Sequence, residues 1–145
     1  MNLDFKDTFE LTFDFMSNFT KVITDFSEAE KLKTLEFYIV LYIGLKGPQK
    51  MSYLAEYFST TKSNITNIID NLEKNNYVKR VRNDSDRRVI LIDLTNKGKT
   101  VFNETLNNFK LMFEDFMSRV SDGDFKIISE GFYKIIKIYN NLRSD

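Results

Sequence analysis

Apolar positions recur along most of this chain at intervals of three and four, the spacing that lines one face of a helix. The first stripe is Phe5, Phe9, Phe13, Met16, Phe19, Ile23 and Phe26, widened by Leu11, Phe15 and Val22. It predicts a helix over about 4–25. A second helix is expected over 31–45, nearly apolar all round in its second half and therefore a core element, with Gly47-Pro48 ending it. Leu54, Ala55 and Phe58 then give one face of a short helix, which the hydroxyls of Ser59, Thr60 and Thr61 interrupt with turn and N-cap chemistry. From about Lys62, a further helix buries Ile65, Ile68, Ile69 and Leu72. Its other face keeps Ser63, Asn64, Thr66, Asn67, Asp70 and Asn71, and Asn75-Asn76 supplies its end.

The period then changes. Tyr77–Val81 and Val89–Leu94 alternate or run apolar and β-branched, as strands do, and the turn chemistry of Asn83-Asp84-Ser85-Asp86 joins them as a hairpin. Thr95 is the N-cap of a long helix carrying Phe102, Leu106, Phe109, Phe113, Phe116 and Val120. Ser121-Asp122-Gly123-Asp124 turns the chain into a last helix carrying Phe125, Ile128, Phe132, Ile135, Tyr139 and Leu142. Both helices keep coiled-coil-like spacing.

This order predicts a mainly α protein with a small β-hairpin wing. A winged helix-turn-helix head occupies about 30–100, with long dimerisation helices over about 1–28 and 101–145, in one domain over 1–145. Such a head fits one helix into the DNA major groove and the hairpin beside it. The recognition helix would present Thr61, Lys62, Ser63, Asn64, Thr66 and Asn67, short side chains able to donate and accept toward base edges. Alone, that stripe reads as a solvated helix face; the hairpin downstream turns the reading toward DNA. Arg82, Arg87 and Arg88 at the hairpin tip suit phosphates or a narrow minor groove. Asp86 is expected to orient an arginine, Arg80 to make a structural or phosphate contact near the strand, and Lys79, Lys97 and Lys99 to be weaker phosphate candidates.

The same stretch resembles the MarR family of bacterial transcription regulators. The matching residues are Lys62-Ser63-Asn64-Ile65-Thr66 and Ile69-Asp70-Asn71-Leu72-Glu73-Lys74, then Tyr77-Val78-Lys79-Arg80, Asp86-Arg87-Arg88 and Leu94-Thr95-Asn96-Lys97-Gly98. Asn67 stands where the family often has arginine, Asn76 where glycine is frequent, and Asn83-Asp84 where a proline is common. The resemblance implies a DNA-binding regulator that dimerises through its terminal helices. It also implies a response to small, commonly anionic aromatic molecules held between those helices and the head. Phe13, Tyr38 and Tyr42 are the candidate ligand contacts, with core packing the plainer reading of each.

Composition narrows the chemistry. The chain has 145 residues, no cysteine and no histidine. That excludes disulfides, thiol switches and Ser-His or Cys-His catalysis, and leaves a zinc or copper site only carboxylates to draw on, a poor donor set for either. No cofactor, metal or enzymatic activity is expected. The N-terminal segment is charged and the longest apolar run, Phe37–Leu45, is too short to span a membrane, so a cytoplasmic protein is expected. Net charge is zero from 21 basic and 21 acidic residues, but residues 62–100 hold nine Lys/Arg against five Asp/Glu, 9 − 5 = +4. A local patch matters more than the total because salt screens charges beyond roughly 8–10 Å.

The terminal stripes exceed what one small head can cover. They predict a homodimer sealed by Phe5, Phe9, Phe113, Phe116, Phe132, Ile135, Tyr139 and Leu142. Two recognition helices about one DNA turn apart would match a pseudo-palindromic operator, and repression is the expected outcome. The competing expectation is a winged-helix interaction module that contacts protein or RNA through its basic hairpin.

Overall fold

The computed structural model describes residues 4–24, 31–83 and 86–142, and the side chains of 4–18, 31–83 and 86–141. The side chains of Phe19, Val22, Ile23 and Leu142, and Phe26, Asp84 and Ser85 altogether, all named above, lie outside what is described. Among the described residues six helices and three strands follow in order: α1 (Phe5–Thr24), α2 (Thr34–Lys46), β1 (Gln49–Lys50), α3 (Met51–Tyr57), α4 (Lys62–Lys74), β2 (Val78–Arg82), β3 (Ile90–Leu94), α5 (Asn96–Arg119) and α6 (Asp122–Leu142). The chain packs as two compact units, Met1–Asn108 and Phe109–Asp145.

The first unit holds the head. Its core joins Ile39, Val40 and Ile43 of α2, Leu54 of α3, Ile65, Ile69 and Leu72 of α4, Val78 of β2, Ile92 and Leu94 of β3, and Val101 of α5, all 3% exposed or less. Most of the apolar run of α2 is thus buried, with Tyr38 and Leu45 left exposed, whereas α4 buries one stripe and leaves its polar face outward.

Each short helix ends by a mechanism its sequence supplies. In α3, Ser59 takes φ 50°, and the N–H groups of Ser59 and Thr60 donate to the carbonyls of Glu56 and Ala55 at 3.0 and 2.9 Å. In α4, Asn76 takes φ 63°, and Asn76 and Tyr77 donate to Glu73 and Leu72, both at 2.9 Å. These are Schellman closures, with a left-handed residue just past the cap. The α4 closure also explains why β2 starts one residue later than its sequence suggests. Tyr77 is buried and gives its N–H to the Leu72 carbonyl of the helix it follows, rather than entering the ladder.

The sheet has one more strand than the hairpin expected. Its order is β1-β3-β2, antiparallel throughout, with Gln49 opposite Ile92 and Arg80 also opposite Ile92 on the other side. β1 is two residues long, too short to show a period of two. β2 and β3 form the wing, whose base is buried at Val78, Ile92 and Leu94 while Arg82 and Ile90 at its outer end are exposed.

The second unit consists of the end of α5 and all of α6. Their large apolar side chains are open: Phe113 and Phe116 are 43% and 42% exposed, Phe132 57%, Ile135 65% and Tyr139 57%. On α1, Phe5, Phe9 and Phe13 are likewise exposed, and the rings of Phe9 and Phe13 stack at 6.4 Å. No helix of the described residues is long and apolar enough to cross a membrane.

Candidate nucleic-acid interface

The polar face of α4 begins at its cap. Thr61 in extended conformation accepts the Asn64 N–H on its hydroxyl at 3.1 Å, which fixes the first turn. Asn64 donates from Nδ2 to Thr60 Oγ1 at 2.8 Å, and Thr66 donates from its hydroxyl to the Lys62 carbonyl at 2.7 Å. Lys62, Ser63 and Asn67 are exposed on the same outer surface. The six residues expected to read DNA therefore lie together on the first turn and a half of one helix.

Two residues expected on that face are engaged elsewhere. Asp70 accepts from Arg80 Nη2 at 2.7 Å, and Glu73 binds Arg80 Nη1 and accepts the Arg80 backbone N–H at 3.2 Å. Asn71 donates from Nδ2 to Glu36 Oε1 at 2.6 Å. Asp70 and Asn71 thus build the helix's setting, and the polar side chains left exposed on α4 lie toward its N-terminal turns. Arg80 bridges β2 to α4, so the wing is tied to the recognition helix by a two-carboxylate clamp. The hydrogen bond that Arg80 donates to Asp70, against an opposing effect of burial and with the charge of Glu73 in support, pushes the guanidinium pKa further above its already high ordinary value. A residue spacing of seven and ten positions across a helix end leaves no periodic trace of this clamp in the sequence.

The wing tip is built around Asp86. Its carboxylate accepts the Arg88 N–H at 3.0 Å and lies 3.4 Å from Arg88 Nε, while its carbonyl accepts the Val89 N–H at 2.9 Å. Asn83 closes the turn by donating its N–H to the Val89 carbonyl at 2.9 Å. The Arg88 side chain is 94% exposed, and Arg82 and Arg87 are exposed as well. Exposed guanidinium groups can meet phosphates with a planar fork of donors.

Lys97, a candidate phosphate contact, also braces the head. Its ammonium sits 4.0 Å from the Tyr77 ring centroid and donates to the Asn75 carbonyl at 3.2 Å. Thr95 reinforces the same corner, its hydroxyl donating to the Asn76 carbonyl and accepting the Gly98 N–H at 3.2 Å.

The candidate ligand contacts differ in setting. Phe13 and Tyr38 are 62% and 42% exposed. Tyr42 is buried in an aromatic cluster, 4.1 Å from Tyr57 and 5.8 Å from Phe58 between ring centroids, and donates its hydroxyl to Tyr53 at 3.1 Å. That hydrogen bond, then burial and the neighbouring phenols, pushes the Tyr42 hydroxyl up to about 12. Tyr42 is thus engaged in packing, the plainer of the two readings its sequence position allows.

Glu36 is the residue the sequence reading passes over. It is a carboxylate 5% exposed on α2, the most apolar helix of the head. The signal available was its position, three residues after Lys33, where a first-turn acid reaches back to the cap backbone.

Known proteins share this fold. The sequence profile of the family described as "Transcriptional regulator SarA/Rot" matches residues 21–105. A MarR-like transcriptional regulator from Thermotoga maritima superposes with a TM-score of 0.84 at 38% identity, over 96% of this chain and 99% of its own. FabT of Streptococcus pneumoniae, solved in complex with DNA, superposes with a TM-score of 0.82 over 96% and 99%; at 22% identity that likeness concerns the fold. The HTH-type transcriptional repressor MdtR of Bacillus subtilis (strain 168) is 28% identical over 95 residues, 66% of this chain and 61% of MdtR.

Proposed function

The chain belongs to the SarA/Rot family of transcriptional regulators and has the MarR-like winged-helix fold, and on that premise we propose that it binds a pseudo-palindromic operator as a homodimer and represses transcription. It is a DNA-binding regulator by family, not an enzyme. The observation that carries the finer reading is the Arg80 clamp. It fixes an exposed arginine tip relative to an exposed polar helix face, so that groove and backbone can be engaged at once. In the proposed complex Ser63, Asn64, Thr66 and Asn67 meet base edges, Thr61 and Lys62 meet the backbone at the helix start, and Arg82, Arg87 and Arg88 meet phosphates or the minor groove.

Dimerisation is supported by the open apolar faces. Phe5 and Phe9 of α1, Phe113 and Phe116 of α5, and Phe132, Ile135 and Tyr139 of α6 are each more than 40% exposed on the single chain. Apolar surface on this scale marks an interaction site. Repression is supported by the likeness to MdtR, itself a repressor.

Selecting duplexes that the purified chain retains from a random pool tests the proposal. Enrichment of a two-fold symmetric sequence with half-sites about one turn apart is expected. A pool that stays random after repeated rounds would overturn sequence-specific binding, and an enriched single half-site would overturn the dimer.

A further inference from the structure

We propose that Glu36 is a positioning residue for sequence readout: through Asn71 it sets the rotation of the recognition helix and so the placement of Asn64 and Asn67. The inference rests on the DNA-binding reading above and adds a residue that touches no DNA.

A buried carboxylate is costly unless its oxygens are matched by donors. Both oxygens of Glu36 are matched. Oε2 accepts the Lys33 N–H at 3.0 Å at the start of α2, and Oε1 accepts Asn71 Nδ2 at 2.6 Å. Asn71 is itself held in one orientation, because Asn75 Nδ2 donates to its Oδ1 at 3.2 Å and to its carbonyl at 2.9 Å. Only the amide nitrogen can face the carboxylate, so the bond has a defined polarity.

Its place on the helix gives it consequence. Asn64, Asn67 and Asn71 fall at i, i+3 and i+7, one stripe of α4. With Lys33, Glu36 and Ile68 they line a cleft of about 330 Å³ between the start of α2 and the reading face of α4. Arg80 ties Asp70 and Glu73, on the second half of α4, to the wing, while the contacts of α4 with the core through Ile65, Ile68, Ile69 and Leu72 are apolar and non-directional. They tolerate small rotations of the helix, whereas a short directional hydrogen bond selects one. A rotation of about 10° moves a side-chain tip roughly 5 Å from the axis by about 1 Å, enough to break a base contact. Lys33 is the basic side chain on the rim of this cleft, and the polar groups that α4 contributes to it are neutral amides. The acids next along α4, Asp70 and Glu73, are engaged by Arg80.

The test inverts the bond. Asn71→Asp sets two carboxylates face to face, a pair that is tolerated only when it shares a proton. Glu36→Gln combined with Asn71→Asp restores a donor and an acceptor with their roles exchanged. The new amide nitrogen on α2 donates to the new carboxylate on α4, and the amide oxygen keeps the Lys33 N–H. Fluorescence anisotropy would measure the affinity ratio between a labelled duplex carrying the selected site and a scrambled duplex, at about pH 8 and about pH 5.5. Wild type should show one ratio at both. Asn71→Asp should lose about tenfold of that ratio at the higher pH and regain it at the lower. The exchanged pair should restore the wild-type ratio at both. An Asn71→Asp ratio equal to wild type overturns the inference, as does a double variant that fails to fold or reads no better than the single one. If Asn71→Asp alone does not fold at the higher pH, as circular dichroism would show, the ratio of the double variant decides. A wild-type protein with no preference for the selected duplex overturns the DNA reading itself and this inference with it.

Discussion

Gly98 lies so close to the backbone of Tyr77 that a Cβ added to it would sit 2.1 Å from the Tyr77 carbonyl oxygen. The contact joins the first turn of α5 to the chain leaving the recognition helix. No side chain fits there unless backbone moves, and the bracing by Thr95 and Lys97 surrounds the same corner. Gly98→Ala is therefore expected to destabilise the protein by about 1–3 kcal/mol, the usual range for forced overpacking. Urea unfolding followed by circular dichroism measures it, and an unchanged midpoint would mean that the corner yields without strain.

The Arg80 clamp makes a prediction about affinity without direct contact. Arg80→Ala leaves Asp70 and Glu73 facing one another without their cation and frees the wing from α4. Because the partners are partly solvated, the stability loss should be small, about 1 kcal/mol. Operator binding should fall more than stability does, at least tenfold, as a loosened wing must be ordered on binding. Equal losses in binding and stability would show the clamp to be only structural.

Arg88→Ala should leave the fold intact, because that side chain is 94% exposed. If Arg88 meets a phosphate, the slope of log affinity against log salt should flatten by up to about one unit. A salt titration of the variant beside wild type reads this directly, and identical slopes would remove Arg88 from the interface.

Tyr42 predicts behaviour at alkaline pH. Its folded pKa is raised to about 12 from the ordinary 10.0 by the hydrogen bond to Tyr53 and by burial. The folded state therefore favours the neutral phenol. The stability from this effect is fully present below about pH 10 and is lost as pH rises toward about 12. Ultraviolet titration should show one late-ionising tyrosine that Tyr42→Phe removes. A wild-type titration without it would contradict the cluster geometry.

Much of the fold was legible in the sequence for a simple reason. The stripe Ile65, Ile68, Ile69 and Leu72 has one period, and the buried positions of α4 follow it. The winged-helix order, the terminal helices and the turn at Asn76 were likewise local signals. What escaped depends on residues far apart in sequence. β1 exists because Gln49 and Lys50 pair with β3, roughly forty positions away. Asn71 and Asp70 look like groove-facing polar residues until Glu36 and Arg80 arrive from α2 and β2 to claim them. A helical wheel assigns a face to a residue, but the partner on that face belongs to another element.

The central claim is a two-fold symmetric complex on DNA. Sedimentation velocity of the purified chain, alone and with a labelled duplex carrying the selected site, tests it most directly. The expected result is a dimer at micromolar concentration that binds as two chains per duplex, with scrambled duplex at least about a hundredfold weaker at physiological salt. A stable monomer in solution that binds one chain per duplex, or equal binding to both duplexes, would contradict the account.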